Sequence, residues 1–352
     1  MAQSRGVESH EYKDSTLHER DEILNASGQP YRIFTPYSKS WLKAYKTAPA
    51  KRPGGQHLNL TTPTNLPSLP LPTLKTWNLG SSKEIPAPGE KAGRERLDAF
   101  LSGPIFQYAA TRDIPSRGGT SRLSADLRFG TLSVREVYDR CVRLLMEPME
   151  AMQRKSIHAF INELIWREFY IQVLWHWPEV LEFEFSPKYR SLCWSRDDSA
   201  FERWREGTTG FPIVDAAMRQ LNATGFMHNR LRMITAMFLT KDLHIDWRLG
   251  EQYFMQRLGD GEIASNNGGW QWSAGTGADA APYFRIQNPW SQTKRFDPEG
   301  IFIRSWLPEL RDVETGRLTV PPSDAKPVVT GYPVPMVDHK RERDVTLSMM
   351  SL

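Results

Sequence analysis

Cysteine is scarce in this sequence, which limits the folds and sites that it can form. Only Cys141 and Cys193 occur in 352 residues, and they are not spaced as metal ligands. Two cysteines are also too few for a disulfide framework, and such scarcity fits a reducing compartment. We expect both thiols to be passive core residues, and we expect no metal site.

Long apolar runs are absent as well. No uninterrupted apolar stretch approaches the roughly 20 residues that a membrane-spanning helix needs. The segment from Met1 to Arg20 is polar and does not resemble a secretory signal. The sequence therefore predicts a soluble, cytoplasmic protein that makes no use of a membrane.

Neither sign of charge is in large excess. The chain has 45 Lys and Arg against 41 Asp and Glu, a net charge of +4, and 39% hydrophobic residues, which is typical of globular proteins. This charge allows an acidic partner without requiring one. The 12 Trp are more unusual. Abundant Trp often serves cofactor pockets or stacking surfaces, although core filling remains the default role of any single one.

Proline and glycine divide the chain into three parts. Residues 1–37 are mostly polar, with a short helical pattern over 18–24 and a strand-like segment over 31–34. Eight of the 25 prolines fall between Pro49 and Pro88, so residues 38–90 are predicted to be an extended linker laid on the surface. Residues 91–352 have helical periodicity, and the fold class is mainly α. Helices are predicted over residues 94–101, 134–146, 156–177, 201–205, 213–224, 228–243 and 249–258.

Two of these helices have a face of unusual composition. Over 156–177, Glu163, Trp166 and Tyr170 fall on one stripe with Arg167 between them. This stripe suits a planar, hydrogen-bonding ligand, but a Glu–Arg pair on a solvated face explains it as well and is favoured from this helix alone. Over 228–243, the stripe of Asn229, Arg232 and Met233 is a weak signal, because Met in a helix is usually core filler.

Two loops also carry candidate ligand-binding residues. Residues 119–124 offer Thr, Ser and Arg donors after a glycine pair, which suits a phosphate, although a hydroxyl-rich turn capping a helix is the more common explanation. Residues 260–272 combine paired Asn, paired Gly and alternate Trp. Because glycines weaken a helix and buried amides need partners, we predict that this segment is not a core helix but a backbone approaching a flat ligand.

The segments 119–124, 162–170 and 260–288 make the chain resemble the FAD-binding part of DNA photolyases and cryptochromes. Within that group it is most similar to bacterial class I cyclobutane pyrimidine dimer photolyases, from about residue 30 to the C-terminus. The resemblance implies an all-helical domain that holds FAD, active as the fully reduced anion, in a folded form below a cavity open to DNA. Family members also have an N-terminal α/β domain for a folate or deazaflavin antenna pigment. Residues 1–37 would be a short remnant of that antenna domain, so the chain is expected to be truncated there.

The resemblance also implies roles for individual residues. The cofactor-binding residues would be Tyr108, Thr120, Ser121, Arg122, Leu123, Ser124, Phe160, Arg167, Arg232, Asp260, Gly261, Glu262 and Asn266. The catalytic residues around the dimer would be Glu163, Asn229, Trp166, Met233, Trp272 and Asn266. Electron transfer to the flavin would use Trp270, Trp247 and Trp194. DNA would contact Arg112, Glu163, Trp166, Tyr170, Asn229, Arg230, Arg285 and Gln292, with Arg154 and Lys155 as looser candidates.

Single residues favour one activity within the family. The amide of Asn266 favours repair, because it would stabilise the reduced flavin where plant cryptochromes usually carry Asp and animal ones Cys. Asn229 and Met233 fit the six-four and DASH-type classes poorly. We therefore expect light-driven repair of cyclobutane pyrimidine dimers in UV-damaged DNA by a monomer. The alternatives are a blue-light photoreceptor that binds FAD without repair, and a non-catalytic DNA-binding module.

Overall fold

Regular structure is helical throughout the described part of the chain. The computed structural model describes residues 6, 8, 13, 15–46, 48–49, 69–77, 85–282, 284–323 and 326–351. Within these ranges, β pairing is limited to two isolated bridges, Leu24 with Pro30 and Ser195 with Ile245. The mainly α fold class is confirmed. The α-helices are α1 Phe34–Lys43, α2 Glu90–Leu101, α3 Tyr108–Thr111, α4 Ser124–Phe129, α5 Val134–Met146, α6 Ala151–His176, α7 Asp198–Glu206, α8 Pro212–Thr224, α9 Asn229–Met237, α10 Trp247–Arg257, α11 Ile263–Ala274, α12 Pro289–Phe296, α13 Ile301–Trp306, α14 Thr315–Thr319 and α15 His339–Met350.

A helix is present at each of the positions predicted after residue 90, and several helix ends carry ordinary capping or stop signals. The hydroxyl of Ser133 caps α5 by accepting a hydrogen bond from Arg135 N. Pro212 begins α8, and Gly225 ends it with φ 67°. The segment predicted as one helix over 228–243 is α9 followed by a π-helical turn, Phe238–Asp242.

The N-terminal predictions were wrong in secondary structure. Residues 18–24 form turns, and residues 31–33 run irregularly into α1 where a strand was expected. Pro36 lies in the first turn of α1, where its missing N–H costs no helical hydrogen bond. Phe34, Tyr37 and Trp41 recur at helical spacing and are buried. The predicted linker over 38–90 lies in part outside the described residues, which omit 47, 50–68 and 78–84. Its first residues, 38–43, belong to α1, so the prediction of an extended segment is wrong there.

A buried carboxylate joins the N-terminal segment to the long helix α6. Glu168 of α6 accepts hydrogen bonds from the backbone N of Leu17 and of His18 and, at 2.6 Å, from Trp41 Nε1. A buried carboxylate with three donors is well satisfied. The N-terminal segment is therefore part of the same packed unit as α6.

The two cysteines differ in their surroundings. Cys141 is buried, as predicted, and burial raises the pKa of its thiol to about 12. Cys193 is exposed, which corrects the prediction of a core residue. It follows Leu192 in a turn without regular structure, so no helix periodicity marked its exposure.

Among the described residues, none of the helices is both long and apolar enough to cross a membrane.

Two hydrophobic clusters form the core, and the helix α11 is packed tightly between other helices. One cluster gathers around Trp204 and Trp247, and the other around Trp41 and Phe169. A Cβ on Gly268 would lie 2.1 Å from the Tyr170 ring of α6, so glycine permits this approach. The prediction that 260–272 is not a core helix is therefore wrong for α11.

The polar side chains of α11 have the partners that burial requires. Asn267 Nδ2 and Gln271 Nε2 both donate to the carbonyl of Val180, at 3.0 and 2.9 Å. Gln271 Oε1 accepts from Phe185 N at 2.8 Å. These contacts involve residues more than 80 positions away, and so they could not be read from the local sequence.

The buried His18 predicts a loss of stability in acid. Burial, and secondarily the charge of Lys46, lower its pKa to about 4. An unfolded histidine titrates near 6.5, so the contribution of neutral His18 is complete above about pH 6.5 and is lost as pH falls toward 4. The expected loss is about 3 kcal/mol of unfolding free energy. His18→Gln should remove this part of the pH dependence in urea unfolding at pH 7 and pH 4.

The same replacement of exposed His158 on α6 is the control for this prediction. His158→Gln should leave the difference between pH 7 and pH 4 unchanged. An equal pH dependence in the wild type and in His18→Gln would contradict the prediction.

Candidate functional site

A cavity of about 500 Å³ opens between α6, α9 and α11 and the loop over residues 119–124. This volume is in the range of cofactor pockets. All of the predicted cofactor-binding and catalytic residues line it: Tyr108, Thr120, Ser121, Arg122, Leu123, Ser124, Phe160, Glu163, Trp166, Arg167, Asn229, Arg232, Met233, Asp260, Gly261, Glu262, Asn266 and Trp272. Residues from four separate parts of the chain thus meet at one site.

Of the predicted DNA contacts, Arg112, Tyr170 and Arg230 also line the cavity. Of the three predicted electron-transfer residues, Trp270 alone lines it. Trp194, Trp247, Arg285 and Gln292 lie outside it. Arg154 and Lys155 are exposed at the start of α6, also away from the lining.

Sequence reasoning missed other lining residues. These are Asp113, Leu127, Arg128, Leu164, Phe226, Met227, His228, Ala236, Phe254, Ser265, Gly269 and Ser273. Some had a local signal, since Met227 and His228 directly precede the predicted Asn229. Asp113 had none, because its partner Arg230 is 117 positions away.

An ion pair between α9 and the segment before α11 anchors one wall. Arg232 Nη2 lies 2.8 and 3.0 Å from the two carboxylate oxygens of Asp260, and Ser124 Oγ donates to the same carboxylate at 2.6 Å. Burial alone would raise the pKa of Asp260, but Arg232 and Ser124 outweigh it and hold that pKa below its usual value. The site therefore keeps a buried negative charge beside a guanidinium.

The loop over residues 119–124 is held in an unusual conformation. A Cβ on Gly119 would lie 2.4 Å from Thr111 Oγ1, so this position requires glycine. Arg122 has φ 56°, in the left-handed region, and its guanidinium lies 3.7 Å from the centre of the Phe226 ring. The side chain of Ser124 binds Asp260 and does not cap α4, so helix capping does not explain this loop.

Two further ion pairs lie on the opposite side of the cavity. Arg112 Nη1 lies 2.5 Å from Glu163 Oε1, and Arg230 Nη2 lies 2.9 Å from Asp113 Oδ1. Burial raises the pKa of Glu163 and Arg112 only partly opposes the shift. The Glu163 carboxyl therefore retains its proton to higher pH than an exposed glutamate does. A protonated carboxyl donates a hydrogen bond, which the ionised form cannot do.

Aromatic rings line the wall formed by α6. Trp166 stacks on Phe34 of α1, with ring centroids 3.6 Å apart and planes at 3°. Its ring is also tilted against Tyr170, at 5.5 Å. On α11, Asn266 Nδ2 donates to the carbonyl of Glu251 at 3.0 Å, which fixes its amide plane.

Trp270, Trp247 and Trp194 differ in depth. Trp270 and Trp247 are buried, and Trp194 is partly exposed. A Cβ on Gly250, one turn after Trp247 in α10, would lie 2.1 Å from the Trp270 ring, so this glycine lets α10 contact the ring. Trp247 Nε1 and Trp194 Nε1 both donate to Glu184 Oε1, at 3.2 Å each, so these two indoles are neighbours.

The lining fits a flavin dinucleotide. Hydroxyl and guanidinium donors of residues 120–124 suit a diphosphate, while the Arg232–Asp260 pair suits the polar edge of a flat ring. Gly269 lines the cavity, and a Cβ there would meet nothing within 4 Å, so glycine adds open space to the cavity. Three buried donors of the lining, His228 Nε2, Arg230 Nε and Trp270 Nε1, have no partner among the described residues.

Comparison with known proteins agrees with this site. Residues 160–352 match the FAD binding domain of DNA photolyase, and residues 1–54 match the DNA photolyase family. A deoxyribodipyrimidine photo-lyase of Salmonella typhimurium is 45% identical over 347 residues, which cover 96% of this chain and 71% of that protein.

Two solved structures have similar folds. A bacterial class III photolyase from Agrobacterium tumefaciens is similar with a TM-score of 0.88 and 36% identity, over 99% of this chain and 74% of that one. A cryptochrome of Synechocystis sp. is similar with a TM-score of 0.84 and 31% identity, over 99% and 74%. The chain belongs to the DNA photolyase family and contains its FAD-binding domain.

Proposed function

We propose that this chain binds FAD in the cavity and uses absorbed light to split cyclobutane pyrimidine dimers in DNA. One observation carries the proposal: Glu163, Asn229 and Trp272 line the same cavity as the Arg232–Asp260 pair. A dimer admitted to this cavity would contact hydrogen-bonding and aromatic groups while it lies next to the cofactor. The relatives' name, deoxyribodipyrimidine photo-lyase, supports the same substrate class.

The cofactor would supply the electron, and the protein side chains would bind and orient the cofactor. FAD, when bound and reduced, supplies on illumination the electron that opens the cyclobutane ring and takes that electron back. Thr120, Ser121 and Arg122 would hold its diphosphate by hydrogen bonds and charge. Asn266 and the Arg232–Asp260 pair would bind the polar edge of the flavin ring.

The dimer would be held on the side of the cavity that Glu163 lines. Trp166, Met233 and Trp272 would pack against its fused rings, and Asn229 would hydrogen-bond a base. The Glu163 carboxyl, held by Arg112, would hydrogen-bond the dimer where a base carbonyl gains negative charge. Arg230, Arg285 and Gln292 would contact the DNA flanking the dimer, with phosphate contacts setting the salt dependence of binding.

We also propose a division of the chain into three parts. Residues 91–352 would form the catalytic domain, 38–90 the linker, and 1–37 the end of the antenna domain. Residues 1–54 and 160–352 match two different family models, which supports a separate N-terminal part, although the first match extends beyond residue 37.

Illumination of a defined substrate tests the proposal. Purified chain with reduced FAD should remove thymine dimers from an irradiated oligonucleotide under blue or near-UV light, and it should not do so in the dark. Glu163→Ala should lower the quantum yield of repair roughly tenfold, since it removes a buried hydrogen bond to a charged group. Glu163→Gln keeps a neutral donor and should retain most of the yield. Equal yields in the wild type and in Glu163→Ala, with FAD bound in both, would remove this role for Glu163.

A second candidate function is light sensing without repair. The similarity to the Synechocystis cryptochrome structure favours it. The same assay separates the two functions. A chain that is yellow and responds to blue light but leaves every dimer intact would be a photoreceptor, and a chain that binds DNA without flavin would be neither.

A further inference from the structure

Glu184 is a buried carboxylate shared by two tryptophans. The residue is 2% exposed, and its Oε1 accepts hydrogen bonds from Trp194 Nε1 and from Trp247 Nε1, each at 3.2 Å. Two indole N–H groups on one carboxylate oxygen require both rings to point their nitrogens at the same atom. The arrangement joins a fully buried tryptophan to a partly exposed one through a single charged group.

Arg248 keeps this carboxylate in place and ionised. Its Nη2 lies 2.9 Å from Glu184 Oε2, and its Nη1 lies 3.0 Å from Asp246 Oδ1. Burial would raise the pKa of Glu184, but the hydrogen bonds and charge of Arg248 and the hydrogen bond from Trp194 outweigh burial, so the pKa lies below its usual value. Glu184 therefore carries a full negative charge at neutral pH.

The third tryptophan lacks such a partner. Trp270 lines the cavity, and its Nε1 has no hydrogen-bond acceptor among the described residues. The guanidinium of Arg248 lies 4.7 Å from the ring centre of Trp247. A positive charge on Trp247 would thus be attracted by Glu184 and repelled by Arg248. The same charge on Trp194 would keep the attraction to Glu184 and gain contact with water.

We propose that Glu184 is a positioning residue that draws positive charge outward from Trp270 to Trp194 and holds it there. This inference rests on the proposed function and on the electron-transfer role that the family resemblance implies for the three tryptophans. When light moves one electron from Trp270 to the cofactor, an electron from Trp247 replaces it, and an electron from Trp194 replaces that one. The net result is one electron gained by the cofactor and one lost by Trp194. The carboxylate lowers the free energy of the oxidised indoles that it contacts. Return of the electron from the cofactor to the oxidised tryptophan is therefore slowed.

The same carboxylate leaves the proton of the oxidised indole in place. Because Arg248 lowers the pKa of Glu184, its carboxylate is a weak base, and the N–H proton of Trp194 stays hydrogen-bonded to it. The positive charge therefore remains on Trp194 beside the carboxylate. An external thiolate would then return one electron to Trp194 and become a thiyl radical, which restores the neutral indole.

Two measurements on Glu184→Gln test this role, with Asp246→Asn as the matched control. Both variants remove one carboxylate from Arg248 without changing shape, but Asp246 touches no indole nitrogen among the described contacts. In chain with oxidised FAD, a blue flash should leave roughly tenfold less long-lived tryptophan radical in Glu184→Gln. Asp246→Asn should stay within about twofold of the wild type, and Trp270→Phe should give no signal.

The second measurement needs no flavin. The chain without FAD is oxidised with a water-soluble one-electron photo-oxidant, and peptide mass spectrometry gives the oxidised fraction of Trp194 relative to exposed Trp175. This ratio should fall roughly tenfold in Glu184→Gln and stay within about twofold in Asp246→Asn. A normal ratio in Glu184→Gln, or an equal fall in Asp246→Asn, overturns the proposal. If the chain never binds FAD, the proposed function fails. A lower Trp194 to Trp175 ratio in Glu184→Gln would even then support the charge effect of Glu184.

If Glu184→Gln does not fold, Arg248→Gln provides the same test. The carboxylate then keeps its indole partners but loses its main cation, so its pKa rises. The charged groups around it are Arg190, whose Nε donates to the Glu184 carbonyl, and Asp246 and Arg248 at the start of α10. The Trp194 to Trp175 ratio should fall between pH 8 and pH 5 in this variant and stay constant in the wild type. A constant ratio in both overturns the proposal.

Discussion

Replacing Gly268 with alanine should destabilise the fold, whereas the same replacement of its neighbour Gly269 should stabilise it. A Cβ on Gly268 would lie 2.1, 2.3 and 2.6 Å from three atoms of the Tyr170 ring. The ring cannot withdraw easily, because it is packed against Trp166 and Phe169. We expect overpacking to cost about 1–3 kcal/mol. A Cβ on Gly269 meets nothing within 4 Å, so alanine there should gain about 0.5–1 kcal/mol of helix propensity.

Urea unfolding of the two variants without flavin measures this difference directly. Both changes add one methyl group to the same helix at adjacent positions, so their effects on the unfolded chain are nearly equal. The difference between them therefore reports the contact between α6 and α11. Equal unfolding free energies for Gly268→Ala and Gly269→Ala would mean that α6 and α11 can move apart without loss of stability. The close contact between these helices would then contribute nothing to the stability of the fold.

The same two glycines explain where prediction from the sequence failed. Helix propensity counts a glycine pair as a cost, and it was on this ground that residues 260–272 were predicted not to form a core helix. This cost is offset because Gly268 allows α11 to pack closely against the ring of Tyr170, which lies 98 positions earlier in the chain. Local propensity contains no information about that partner. The amides of Asn267 and Gln271 were misjudged for the same reason, since Val180 accepts from both.

Periodicity succeeded where a helix buries one continuous stripe. In α5, α8 and α10, apolar residues recur at helical spacing along several turns, and this pattern predicts both the helix and its buried face. Periodicity failed at residues 31–34, because the β-favouring residues Tyr31, Ile33 and Phe34 look the same at the start of a helix as in a strand. Only the wider spacing of Phe34, Tyr37 and Trp41 distinguishes the two.

Prediction of the site had a similar limit. The lining residues were proposed through family motifs, and the structure gathers nearly all of them around one cavity. Pairs between distant segments were not apparent, as with Asp113 and Arg230, or Glu184 and its two tryptophans. These partners lie far apart in the sequence, and no local pattern joins them. The raised pKa of Glu163 depends mainly on the burial of its carboxyl, which the local sequence does not report either.

Arg232→Met should cause a large loss of stability that depends on pH. Asp260 is only 6% exposed, and without the guanidinium its remaining side-chain donor among the described contacts is Ser124. A buried carboxylate that loses its partner typically costs about 3–5 kcal/mol. In the wild type the lowered pKa of Asp260 gives stability that is present above about pH 4 and is lost as pH falls through that pKa. In the variant, burial raises the pKa of Asp260, and protonation of its carboxyl removes the cost of the buried charge. The difference in unfolding free energy between the variant and the wild type should therefore narrow as pH falls from 7 to 4.

A second substitution separates the buried charge from other effects of removing Arg232. Arg232→Met combined with Asp260→Asn leaves no buried charge, and it should recover most of the loss at pH 7 in urea unfolding. Arg143→Met breaks an exposed pair with Asp139 on α5, where the arginine is 73% exposed, and it should cost less than about 0.5 kcal/mol. If Arg232→Met costs no more than Arg143→Met, or if the double variant is no more stable than the single one, the pair is not the electrostatic anchor of the cavity. If FAD binds as proposed, the double variant should fail to take it up, because the charges that would lie beside the flavin ring are gone while the fold remains.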